Sequence, residues 1–110
     1  MVNERRQFER VQVTLPTKMG ASPDDLSEAR LEDISIGGVR AFLPGATLSV
    51  GQRHHIHVML PDLGGALEVE VEVRWVDRTD SQRAGFQFAR GLRARETYAI
   101  EQLLKRRRAG

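Results

Sequence analysis

Two short stretches of this 110-residue chain carry side chains that could do chemistry: Arg5-Arg6-Gln7-Phe8-Glu9-Arg10 near the start, and Asp33-Ile34-Ser35-Ile36-Gly37-Gly38 further on. Arginines at this spacing in an extended or turning segment supply planar donors to phosphate oxygens and to the O6/N7 edge of guanine, and their flat faces stack on bases. A carboxylate complements the opposite edge. Guanine offers N1–H and N2–H₂ as donors there, so an ionised Asp33, which only accepts, would select guanine over adenine. Ser35 adds a donor or acceptor, and Gly37-Gly38 permits a tight turn with close backbone approach. Each stretch also has a plain structural reading. The arginines could be a solvated leader partly neutralised by Glu4 and Glu9, and Asp33 and Ser35 could form a local side-chain turn ahead of the glycines. The turn and the binding role are compatible, because a preorganised turn holds both side chains in place.

Strands are expected to position these residues. Leu67-Glu68-Val69-Glu70-Val71-Glu72-Val73-Arg74-Trp75 alternates apolar with charged residues, the pattern of a strand with one buried face. Ile56, Val58 and Leu60 alternate with His55, His57 and Met59, and Pro61-Asp62-Leu63-Gly64-Gly65 supplies a turn that pairs the two runs as a hairpin. Shorter alternations occur at Val11, Val13 and Leu15, from Leu31 to Ser35, from Val39 to Leu43, and at Ala84, Phe86 and Phe88. The expected fold is therefore all-β, a six-stranded antiparallel barrel over residues 11–90, whose closure removes sheet edges. Gly20 to Glu28 reads as a loop. Over 93–108 the residues Thr97, Ile100, Leu103 and Leu104 recur at helical spacing, with Glu101 four before Lys105, which predicts a closing helix. The basic run Lys105-Arg106-Arg107-Arg108 suits the negative end of its dipole.

Composition narrows the function. The chain has no cysteine, which excludes disulfides, thiolate metal sites and a cysteine nucleophile, and fits a reducing compartment. Its first residues are polar and no apolar run approaches a membrane span, so a cytoplasmic protein without membrane insertion is expected. The formal net charge is only +2, which makes local arginine clusters more informative than the total. His54, His55 and His57 lack an obvious third metal ligand and read as surface residues of a sheet. Phe86, Phe88 and Trp75 share a period-2 spacing and read as core rather than a base-stacking platform. No Ser/His/Asp order, paired carboxylates or phosphate-binding glycine loop can be assembled, so no enzyme and no cofactor are expected.

Arg6-xxx-Arg10 followed by Asp33-x-Ser35-xx-Gly38 resembles the paired signature of PilZ domains, RxxxR and [D/N]xSxxG, without substitution and in the same order. The strand after the arginines, the Gly85-Phe86-Gln87-Phe88 strand and the closing helix extend the resemblance over nearly the whole chain. It implies a single stand-alone domain, residues 1–110, acting as a bacterial receptor for the second messenger cyclic di-GMP. In that picture Arg6 and Arg10 take phosphate and guanine contacts, with Asp33, Ser35 and Gly38 on the barrel side. Arg5, just before the core of the motif, stands where similar domains influence whether one ligand or an intercalated pair binds. The leader, residues 1–10, is expected to be mobile alone and to close over ligand, presenting a changed surface to a protein partner in motility, biofilm or polysaccharide control. The alternatives are a PilZ-like adaptor indifferent to nucleotide, and a small barrel binding RNA or single-stranded DNA through its basic ends.

Overall fold

A computed structural model describes residues 9–109, with side chains described as far as Arg106. It contains strands β1 (Val11–Gln12), β2 (Pro16–Gly20), β3 (Leu26–Ile34), β4 (Gly38–Phe42), β5 (Arg53–Leu60), β6 (Gly65–Val76) and β7 (Arg83–Phe88), then helix α1 (Ala94–Ala109). All pairings are antiparallel. The order β3-β2-β5-β6-β7-β4 closes on itself through β3–β4 pairing, giving a six-stranded barrel, and β1 is an extra strand laid on β3 at Val11↔Ile34 and Gln12↔Asp33.

Alternation explains the wall. Leu67, Val69, Val71 and Val73 of β6 point inward and are buried, facing Ile56, Val58 and Leu60 of β5 and Phe86 and Phe88 of β7. Each such side chain contributes about 1.5–3 kcal/mol by leaving water. The outward Glu68, Glu70 and Glu72 meet polar partners across the hairpin, with Arg53 3.2 Å from Glu70 and 3.4 Å from Glu72, and His57 3.4 Å from Glu68. These exposed pairs add little stability but fix the register, because a one-residue slip would turn the glutamates inward.

Three expectations are corrected here. The alternation at Val11, Val13 and Leu15 is not one strand. Pairing stops after Gln12 and resumes at Pro16, and the barrel stave is β2, whose Thr17 and Met19 are buried. The Gly20–Glu28 loop is shorter than expected, since β3 begins at Leu26 and pairs with β2 from Gly20↔Leu26 to Pro16↔Arg30. Trp75 is not core. The β6–β7 register shifts between Val73 and Trp75, so Arg74 is an added residue and the indole turns outward, 45% exposed. It lies across Gly85, where a Cβ would stand 2.1 Å from Trp75 Nε1, so this β7 position has no room for a side chain.

Helix α1 buries Ala99, Ile100, Leu103 and Leu104 against the barrel and approaches β1. Its start is held by Glu96, whose Oε1 accepts from the backbone N–H of Arg93 at 2.7 Å, the reach-back arm of a capping box. Arg90 donates to both carboxylate oxygens, at 2.9 and 3.0 Å, and holds the Glu96 carboxyl below its ordinary pKa. At the other end Arg106 pairs with Asp62 in the β5–β6 turn.

Candidate functional site

The second motif forms the β3–β4 hairpin. Ser35 N–H donates to Gly38 O at 2.9 Å, and the buried Ser35 hydroxyl accepts from the N–H groups of Gly37 and Gly38 at 3.1 and 3.2 Å. The side chain thus stands in for a backbone acceptor. Gly37 O in turn accepts from Phe88 N–H at 3.0 Å, which ties the turn to β7. Gly38 answers a steric demand, because a Cβ there would lie 2.0 Å from Phe86 O. Serine and glycine are therefore structural requirements of a turn that presents Asp33.

A bulge decides where Asp33 points. The β3–β4 register shifts between Leu31 and Asp33, so Glu32 is added and both Glu32 and Asp33 face outward while Leu31 and Ile34 stay in the core. Arg10, arriving just ahead of β1, donates from Nε to Asp33 Oδ1 at 2.8 Å and from Nη1 to Ser35 Oγ at 3.3 Å. Both motifs thus converge on one spot, joining Arg10, Asp33, Ser35, Gly37 and Gly38. Arg5 and Arg6 lie outside the described residues.

Around this spot the outer wall is cationic and aromatic. Arg40, the cross-strand partner of Asp33, lies 5.9 Å from the Trp75 ring, and Arg30 and Arg83 each stand 5.2 Å from the Phe42 ring. Arg83 donates from Nε to both Glu32 oxygens at 3.0 and 2.9 Å, which holds its pKa above the ordinary value. Arg40 is less committed. Its Nε is 3.2 Å from Glu32 Oε1 but makes no hydrogen bond. Arg40, Asp33, Gln12, Thr14 and Arg30 line a surface concavity of about 760 Å³. Arg40 was not anticipated from the sequence, and Trp75 was expected in the core; the available signal was Trp75-Val76, two consecutive apolar residues that break the β6 alternation.

The histidines divide by strand parity. His55 and His57 face outward as expected, whereas His54 turns inward, its ring 5.9 Å from Phe86 and edge-on to it, with burial lowering its pKa. Among the described residues no group of three or more His, Cys, Asp or Glu side chains is placed to hold a metal, and no helix is long and apolar enough to cross a membrane.

A closed barrel with one added strand, a closing helix, and an arginine meeting a DxSxxG turn define a class, and comparison with known proteins agrees. The sequence matches the PilZ domain family over residues 4–106, and the chain belongs to that family. No curated protein matches it. Among solved structures, the inhibitor of motility MotI/DgrA of Bacillus subtilis superposes with a TM-score of 0.73 at 22% identity, covering 96% of this chain and 52% of that one. YcgR of Escherichia coli in complex with c-di-GMP gives 0.71 at 21% identity, covering 96% of this chain and 46% of that one. This chain spans about half the length of both. The PilZ domain of YcgR with c-di-GMP gives 0.62 at 19% identity, covering 96% and 98%.

Proposed function

We propose that this protein is a receptor for cyclic di-GMP and catalyses no reaction, with Arg5, Arg6, Arg10, Asp33, Ser35, Gly37 and Gly38 forming the site. The observation that carries this reading is the convergence of Arg10 on Asp33 and Ser35, which brings a guanidinium to a preorganised acceptor turn. Similarity to two structures containing c-di-GMP supports it. The chemistry is complementary. Arginines neutralise the two phosphates of the ligand, Asp33 accepts from the donor edge of guanine, and the concavity beside it offers the planar guanidinium of Arg40 for stacking.

Binding is taken to change the surface formed by the leader, residues 1–10, and the β3–β4 turn, and a protein partner reads that change. Control of motility, biofilm or polysaccharide synthesis is the corresponding output, in the cytoplasm. Calorimetric titration with cyclic di-GMP, with cyclic di-AMP and GTP as controls, tests the proposal. Saturable binding of cyclic di-GMP alone is expected, and absence of heat at micromolar protein and ligand would reject it.

A further inference from the structure

One half of β3 carries an open edge. Arg30 has strand partners on both sides, Pro16 of β2 and Phe42 of β4, so β2 and β4 flank β3 on opposite edges. β2 runs along its edge as far as Gly20↔Leu26, whereas β4 covers only residues 30–34 of the other. The reason is local. Beyond Phe42 the Leu43 N–H turns to Gln82 O at 2.8 Å and Leu43 O accepts from Ala46 N–H at 3.2 Å, with Gly45 at a φ of 81°, so the chain leaves β3 at Pro44, which has no N–H to offer it. Among the described residues no strand pairs with residues 26–29 on that side. A cleft of about 240 Å³ remains there, lined by Met19, Ser27, Glu28, Leu43, Pro44 and Ala46.

Unpaired strand backbone is a template for another strand, and natural sheets blunt such edges with charge. Here the charge is mostly of one sign. Asp24, Asp25 and Glu28 are exposed and form no ion pair among the described residues. Lys18 lies opposite Glu28 on β2, and Arg30 is engaged with the Phe42 ring. A second copy offering the same edge would set these carboxylates against their equals, which argues against self-pairing. We propose that residues 26–29 are a docking edge for an extended, lysine- or arginine-bearing segment of a protein partner, added to β3 as a strand where β4 departs. Main-chain hydrogen bonds supply the grip and alternate side chains the selectivity. Glu28 shares the outer face with Lys18, so the partner residue set against it is the cation. Ser27 and Ala29, opposite buried Met19 and Thr17, lie on the inner face, so the partner residues beside them are small and apolar, turned to the cleft at Leu43 and Ala46. This edge is at the far end of β3 from Asp33, and docking there needs no nucleotide.

Amide NMR of the full chain, titrated with an acetylated peptide in which lysine alternates with valine, reads the edge residue by residue. The signals of residues 26–29 should move saturably, and those N–H groups among them that point away from β2 should gain protection from solvent exchange, while Val69 and Val71 in the β5–β6 hairpin stay put. A matched peptide with glutamate for lysine should bind about tenfold more weakly, and Glu28→Lys, a substitution at an exposed position, should invert that preference. Equal response to the two peptides, or a Glu28→Lys variant that keeps the preference, would overturn the basic partner. No saturable shift at residues 26–29, or the same N–H groups already protected without peptide, would overturn the docking edge itself. Protection that appears only as protein concentration rises would assign the edge to a second copy instead.

Discussion

Ser35 is committed to the backbone before any ligand arrives. Its fully buried hydroxyl serves the N–H groups of Gly37 and Gly38. Ser35→Ala should therefore cost about 1–3 kcal/mol of stability, the penalty for leaving buried donors without an acceptor, measured by urea unfolding. Asp33 is different: its carboxylate faces outward, so Asp33→Ala should leave the barrel folded while weakening cyclic di-GMP binding about tenfold or more. The same variant should lose preference for guanine over adenine, read from parallel titrations with cyclic di-AMP, and equal binding of both ligands by the wild type would reduce Asp33 to a turn residue. These roles were legible from residue types and spacing. That Arg10 itself would occupy the Asp33 carboxylate was not, because it depends on how the residues before β1 meet a bulged β3.

At the scale of elements, strand alternation exposed the β5–β6 hairpin in full, because burial on one face leaves a period of two in the residues themselves. The bulges at Glu32 and Arg74 escaped notice, since an added residue is set by how two strands coil past each other rather than by local preference. β2 was hidden for another reason: Pro16, Lys18 and Gly20 look like a turn, while its inward Thr17 is polar. The first half of β3 is polar and mostly exposed, so it carries no apolar signature. Helix α1 was visible, but its cap was not, because Glu96 acts on Arg93 and Arg90 outside the helical repeat. That cap is pH-dependent. Arg90, first, and the Arg93 N–H lower the Glu96 pKa against the opposing effect of burial. Its contribution is present above the ordinary glutamate range, about pH 4–5, and is lost as pH falls through the lower folded value. Glu96→Gln should cost about 1 kcal/mol at neutral pH. In thermal melts against pH the gap to wild type should close below about pH 4; a constant gap would assign Glu96 a packing role only.

For the molecule as a whole, closure through β3–β4 puts Arg10 and the Asp33 to Gly38 turn at one end of the hairpin that seals the barrel, so the proposed ligand contacts and barrel integrity share residues. Stoichiometry is decided at this scale. If Arg5 donates to a second dinucleotide stacked on the first, calorimetry of the wild type should report two ligands per chain and Arg5→Ala should move toward one; saturation of the wild type at one would remove that role from Arg5. The indole displaced by the Arg74 bulge has one more consequence. Trp75 is the chain's sole tryptophan, half in solvent, with the Arg40 guanidinium 5.9 Å from its ring and Asp33 across the strand from Arg40. Light absorbed at the red edge of the protein spectrum is therefore reported from a single place. Its emission is an optical read-out of the cation stacked on it, and a base entering the concavity should register as quenching without any label being attached.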